Sequence, residues 1–313
     1  MKTRVTEMLG IKYPIICGGM AWVGSGAMPA AISNAGGLGM IGSGNMTAEL
    51  LRKEIASVRS QTNKPFGVNL NRESPSKDEL LAVVCEEKPA LVTIGGGDPR
   101  PCIEPLKKAG IRFFPIVPSL RLAKRMESMG ADGVVIEGLE SGGKVGNSTT
   151  LALMGIILGE LSIPVLVAGG IGTGKGIAAC LLMGADAVQM GTRFLTTEEC
   201  PIHPDVKKLL VEADDGSTIV TGQTCGMGER VLRNPFSEKF YEMELARTPK
   251  AELQKFGTGA FRRGMMDGDT EMGSLAAGII VAKCNEILTC KELLDSLMQE
   301  CEETLKNAPR LLD

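Results

Sequence analysis

From residue 13 to residue 194 the chain alternates short apolar runs with longer stretches of helical periodicity. Residues 13–17, 38–41, 66–70, 90–94, 111–118, 134–136, 164–168 and 187–190 read as strands, set off by glycine, proline or polar residues. A small-residue helix spans 26–34. Leu50, Leu51, Ile55 and Val58 mark one helical face behind the N-cap Thr47. Residues 77–87, 101–109, 149–161 and 175–183 read as helices too, and Ser119 caps another that Met129-Gly130 ends. The order strand, glycine-rich loop, helix predicts an α/β protein, a (β/α)8 TIM barrel. An open doubly wound sheet has the same linear order, because periodicity does not register closure.

Beyond Glu198 the rhythm changes. Residues 214–236 are polar and glycine-rich, 240–263 read as helices with a loop, and 274–284 return to an apolar helical pattern. Leu294, Leu297, Met298, Cys301 and Leu305 form one face of a final helix, with Glu300, Glu302 and Glu303 mostly on the other. The expected division is a barrel core at 1–200, a lid or small domain at 201–273 over the barrel mouth, and C-terminal helices at 274–313 packing on the barrel.

Composition narrows the function. The chain has 313 residues, 40 of them Gly, with only 4% aromatic. Abundant glycine without a collagen period points to tight loops and close backbone approach. A net charge of -3 gives no support to nucleic-acid binding. Nine scattered cysteines without a CxxC read as reduced thiols, and a single histidine, His203, removes the usual zinc partners, so no metal site is expected. The first residues lack the apolar core of a signal peptide and no apolar run is long enough to span a bilayer, so a cytoplasmic protein with no membrane partner is expected.

Candidate chemistry gathers in the glycine loops. Glu137 to Gly146 (EGLESGGKVG) follows a strand and precedes a helix, placing two carboxylates, Glu137 and Glu140, and the Lys144 amine where barrel active sites lie. Simple solvation of the charges, with Lys144 in water or paired with Glu140, is the plain alternative. Gly95-Gly96-Gly97 is costly to order and useful mainly where a ligand excludes side chains. Gly169-Gly170 and Gly191-Thr192 end adjacent strands and offer backbone N–H groups and a hydroxyl to a phosphate, unless they are merely economical turns. The GxGxG at 170–174 lacks the downstream acidic residue of a dinucleotide fingerprint, since Asp186 precedes its strand, so FMN is favoured over NAD as the held cofactor.

Six stretches together resemble one family: GGMAWV at 18–23, NAGGLGMIG at 34–42, KPFGVN at 64–69, EGLESGGKVG at 137–146, VAGGIGTGKG at 167–176 and LLMGADAVQMGTRF at 181–194. Over nearly the whole chain the sequence resembles the FMN-dependent enoyl-acyl-carrier-protein reductase II family, within the nitronate monooxygenase (2-nitropropane dioxygenase-like) superfamily. The resemblance implies a flavin ring near Gly19, Met20, Asn69 and Glu137. It implies a ribityl chain and phosphate running toward Gly143, Gly169, Gly170, Gly191 and Thr192. It also implies NADH or NADPH as reductant, an enoyl thioester on acyl-carrier protein or a small acyl thioester as substrate, and a homodimer.

The sequence departs from that pattern at one informative place. Lys144 stands where the family usually has histidine, Cys17 replaces the usual Gln before GGM, and Met227 lies where a reductase-like GH pair would have His. Lys144 and Glu137 are therefore the catalytic candidates, with Lys144 expected to donate a proton or pair with a thioester oxygen. Arg193, Arg230, Arg233, Arg262 and Arg263 are candidates for meeting an anionic carrier. The competing functions are a nitronate monooxygenase-like flavin oxidase and a flavin-binding protein that has lost reductase activity.

Overall fold

The computed structural model describes residues 1–311. Its strands in chain order are β1 (Ile15–Cys17), β2 (Gly39–Gly42), β3 (Phe66–Asn71), β4 (Leu91–Gly95), β5 (Phe113–Val117), β6 (Val134–Glu137), β7 (Gly143–Lys144), β8 (Val165–Ala168), β9 (Ala187–Met190), β10 (Thr218–Thr221) and β11 (Glu229–Leu232). Eight of them pair in parallel in the order β1-β9-β8-β6-β5-β4-β3-β2. The ring then closes: Ile16 bridges Leu38, Cys17 N donates to Leu38 O at 2.9 Å, and Leu38 N donates to Ile15 O at 2.9 Å. Closure selects the barrel over the open sheet. The barrel strands are apolar on successive positions because the interior packs one face and the outer helices the other, leaving Ile15, Ile16, Val92, Val135 and Val167 fully buried.

The outer helices follow their capping signals. Thr47 accepts from Leu50 N at 3.2 Å and Ser119 from Leu122 N at 3.4 Å, each satisfying a donor left open at a helix start. The final helix, Cys290–Asn307, buries Leu293, Leu294, Leu297, Met298 and Cys301 against the helices Gly174–Leu182 and Ala27–Ala35. Glu300 departs from its expected solvent face: its carboxylate accepts from Gly174 N at 2.6 Å and ties the last helix to the start of another.

Two other expectations change. Residues 274–284 are not a helix. Ala276 bridges Val231 and Gly278 N donates to the Thr192 hydroxyl, so the segment is held extended by other elements, and only Ile279–Lys283 coils into a 3-10 turn. The polar stretch after residue 214 contains a hairpin, β10–β11, and β11 also pairs antiparallel with β7, a strand within the loop that follows β6. The segment between the barrel and the last helix has its own apolar cluster. Phe236, Phe240, Leu253 and Ala260 are buried there, with Phe256 stacked on Phe236 at 5.0 Å. Buried Glu244 anchors its loop by accepting from Gly222 N at 2.7 Å, Thr224 N at 2.6 Å and the Thr224 hydroxyl at 2.7 Å.

Candidate active site

Every expected site residue lies at the carboxyl end of a barrel strand or in the loop beyond it: Gly19 and Met20 after β1, Asn69 on β3, Glu137 at the end of β6, Gly143 and Lys144 on β7, Gly169 and Gly170 after β8, and Gly191 and Thr192 after β9. Several of them touch. A Cβ placed on Gly19 would stand 2.1 Å from Asn69 Cγ, and one on Gly191 would stand 3.5 Å from Met20 Sδ. Asn69 is itself fixed, its amide donating to Thr93 Oγ1 at 2.9 Å across the β3–β4 pair.

The β8 and β9 loops bring Gly169, Gly170, Gly191 and Thr192 to the ends of neighbouring strands. Gly169 and Gly170 have φ of 99° and 70°, the left-handed region that side chains disfavour. Among the described residues the backbone N–H groups of Gly170, Gly191 and Thr192 have no hydrogen-bond partner. Thr192 Oγ1 accepts from Gly278 N at 2.9 Å, which leaves its own proton free to donate. Unpaired donors at two adjacent strand ends suit an anion with several acceptor oxygens.

A further unpaired polar group lies on β9. Gln189 is buried, its Oε1 has no hydrogen-bond partner, and its Cγ would lie 3.9 Å from a Cβ on Gly18. An unpaired buried acceptor is costly, and a ligand N–H at the mouth would satisfy it. A flavin ring carries such a group, so donors at one side and this acceptor at the other fit FMN. Sequence reasoning missed Gln189, although a lone glutamine inside the apolar run 187–190 is the signal that marks it.

Glu137 closes β6 and is half-buried. Burial raises its carboxyl from the ordinary 4.5 to about 7, with Ser141 pulling weakly the other way. Glu140 serves a different purpose. Its two oxygens accept from Thr150 N at 3.0 Å each, and Oε2 also accepts the Thr150 hydroxyl at 2.9 Å. It caps the helix Thr150–Ile157 and does not pair with Lys144.

Lys144 instead contacts the carboxylate of Glu73, in the loop beyond β3. β6 and β3 stand three places apart in the eight-stranded ring, so this ion pair reaches over the barrel mouth. Burial of part of the lysine lowers its pKa, and the nearby Glu229 opposes that shift.

The triple-glycine loop and the arginine candidates meet the protein's own groups. In the triple-glycine loop, Gly96 has φ 63° and a Cβ there would stand 2.1 Å from Asn71 Oδ1, while one on Gly97 would stand 3.2 Å from Arg72 Cβ. The groups that exclude side chains are the protein's own. Arg193 and Arg230 are buried. Arg193 donates to Lys283 O at 2.5 Å, and Arg230 to Leu139 O and Thr218 Oγ1, each at 3.1 Å, so neither is offered to a carrier. Arg233 pairs with Glu238 at 2.6 Å and Arg263 with Asp269 at 3.4 Å. Arg262 lies 5.3 Å over the ring of Trp22, which itself has φ 64° in the loop beyond β1. His203 accepts from Asp205 N at 3.3 Å and packs against Gly268, and Met227 lies against the apolar cluster of residues 236–260. Cys17 is fully buried, which pushes its thiol pKa well up.

Comparison with known proteins gives the chain's relatives. The nitronate monooxygenase family profile matches residues 2–81 and 73–300. The solved structure of FabK from Thermotoga maritima has a TM-score of 0.96 and 43% sequence identity, covering 99% of each chain. A nitroalkane oxidase from Streptomyces ansochromogenes has a TM-score of 0.84 at 27% identity, over 96% of this chain and 99% of that one. Among curated proteins, a (3aS,4S,5R,7aS)-5-hydroxy-7a-methyl-1-oxo-octahydro-1H-indene-4-carboxyl-CoA dehydrogenase from Mycobacterium tuberculosis is 31% identical over 100% of this chain and 99% of its own length. A nitronate monooxygenase from Paraburkholderia phytofirmans is 34% identical over 75% of this chain and 78% of its own length.

Proposed function

The chain belongs to the nitronate monooxygenase family, and within it we propose an FMN-dependent oxidoreductase that uses NADH or NADPH to reduce the double bond of an enoyl thioester, carried on acyl-carrier protein or on a smaller thiol. The observation that carries this reading is Lys144, a cation reaching across the mouth of a barrel whose strand ends offer unpaired donors and an unpaired acceptor. Identity of 43% with FabK and the carboxyl-CoA substrate in the name of the M. tuberculosis relative both support a thioester.

FMN, when bound, would supply the redox chemistry that links the nicotinamide to the enoyl double bond. Gly169, Gly170, Gly191 and Thr192 would hold the phosphate, Gln189 would accept a ring N–H, and Gly19, Met20 and Asn69 would shape the ring's place. In this reading Lys144 donates to the thioester carbonyl oxygen, which gathers negative charge as the β-carbon is reduced, and it supplies the proton destined for the α-carbon. Glu137, neutral over part of the physiological range, lines the floor without setting a full negative charge against that oxygen.

The test is anaerobic reduction of the flavin by each nicotinamide, followed by crotonyl thioester, nitronate or air. Rapid reoxidation by the enoyl thioester is expected. Oxygen-coupled turnover of nitronate without nicotinamide would establish the oxidase instead, and a flavin that neither substrate reoxidises would mark a protein without either activity.

A further inference from the structure

We propose that Glu229 is a positioning residue for Lys144, holding its ammonium charged and aimed at the mouth; this rests on the role given to Lys144 above. Glu229 is the direct cross-strand partner of Lys144 in the β11–β7 pair, so both side chains leave the same face of that sheet with Cβ atoms about 5 Å apart.

The two carboxylates that Lys144 faces differ in kind. Glu73 belongs to a separate loop and its side chain is 57% exposed, as Lys144 is at 55%. Such a solvated pair is weak and exchangeable. Glu229 is half-buried and, among the described residues, its carboxylate makes no ion pair or hydrogen bond. A carboxylate withdrawn from water calls for a cation, and Lys144 is the one set opposite it. The remaining charges on these elements are engaged: Arg230, opposite Gly143, donates to Leu139 O and Thr218 Oγ1, and Glu140 caps Thr150. A ligand that enters between Lys144 and Glu73 breaks the exposed pair, and Glu229 keeps the ammonium protonated and in place. Burial of Glu229 raises its own pKa and Lys144 lowers it, in keeping with this coupling.

The experiment is a titration of the Lys144 side chain by 13C NMR in lysine-labelled, flavin-bound protein, with Lys144→Arg assigning the signal. Removing the facing charge in Glu229→Gln lowers the Lys144 midpoint by about one pH unit, a roughly tenfold change in its charged-to-neutral ratio. Glu73→Gln produces less than half that shift. The basic limb of the turnover profile moves to lower pH in step. If Glu229→Gln does not fold, Glu229→Asp is titrated instead, with a smaller fall expected. An unmoved midpoint, or a larger shift from Glu73→Gln, overturns the proposal. The titration needs no acyl substrate, so its failure leaves the thioester reading standing, and failure of enoyl turnover leaves the titration unaffected.

Discussion

Lys144 and Glu73 meet across the barrel mouth although the strands that carry their loops stand three places apart in the ring. An ion pair in that position does two things at once. It brings a cation to the end of the barrel where the β3 and β6 loops begin, and it ties β7, and with it the hairpin β10–β11, to the barrel loop beyond β3.

Lys144→Ala is expected to lower enoyl turnover by about a hundredfold, the lower end of what a positioned acid contributes, while flavin occupancy stays within error of the wild type. The pair with Glu73 is solvated and contributes little to stability, so the melting temperature changes little. Lys144→His places an imidazole in the same loop and shifts the turnover optimum toward neutral pH. Turnover and flavin absorbance measured across pH for the three proteins check this. Equal turnover in Lys144→Ala at equal occupancy would remove Lys144 from the chemistry.

Gly191 offers the cleaner test of the phosphate cradle. Its φ is -119°, and an added Cβ meets only the Met20 side chain, Sδ at 3.5 Å and Cγ at 4.0 Å, ordinary contacts. The protein alone therefore tolerates a side chain there, and a bound phosphate does not. Gly191→Val is expected to leave thermal unfolding of the apoprotein near that of the wild type and to lower flavin affinity at least tenfold. Gly170→Val confuses the two effects, because φ of 70° and a contact of 3.0 Å to Glu140 Cβ strain the fold itself. Full flavin occupancy in Gly191→Val would move the phosphate elsewhere.

Gly96 makes the opposite case. Its positive φ and the 2.1 Å approach to Asn71 Oδ1 leave no room for a methyl group whether or not a ligand is present. Gly96→Ala is expected to destabilise the apoprotein by about 2 kcal/mol, combining left-handed strain with displacement of the Asn71 amide. Urea unfolding of the apoprotein measures it. An unaffected apoprotein with weakened ligand binding would return this loop to the site.

These two glycines show what a sequence carries and what it withholds. All eight barrel strands were legible, because each is an apolar run closed by a glycine or polar stop, and the helix caps Thr47 and Ser119 read directly. Ring closure was not legible, since it rests on the single Ile16–Leu38 bridge between the ends of the order. β7 was hidden because two residues, Gly143 and Lys144, have no periodicity to detect. For the same reason the partner of Lys144 was misplaced. Glu140 is near in sequence but turns to Thr150, whereas Glu73 is 71 positions away and arrives only through the barrel. Residues 274–284 look helical because Leu275, Ala277, Val281 and Cys284 are apolar at helix-like spacing, yet Leu275 and Ala277 are buried from an extended stretch held by Thr192 and Val231, and Val281 from a 3-10 turn.

The raised carboxyl of Glu137 makes a prediction about stability that needs neither flavin nor substrate. Its folded value of about 7 lies above the ordinary 4.5, so the native state holds the proton more tightly than the unfolded chain. Below pH 4.5 the group is protonated in both states and its burial carries no ionic cost. Between 4.5 and 7 the unfolded chain ionises first, and native stability falls as pH rises. Above pH 7 the loss is complete and amounts to at most about 3 kcal/mol, less where water reaches the half-buried group. Glutamine keeps the shape and cannot ionise. In the apoprotein, Glu137→Gln is therefore expected to gain stability over the wild type at pH 8 and to match it at pH 4. Urea denaturation at the two pH values reads the difference directly. The same increment at both would mean that water solvates the carboxylate fully, and Glu137 would then present a negative charge to the mouth throughout the working range.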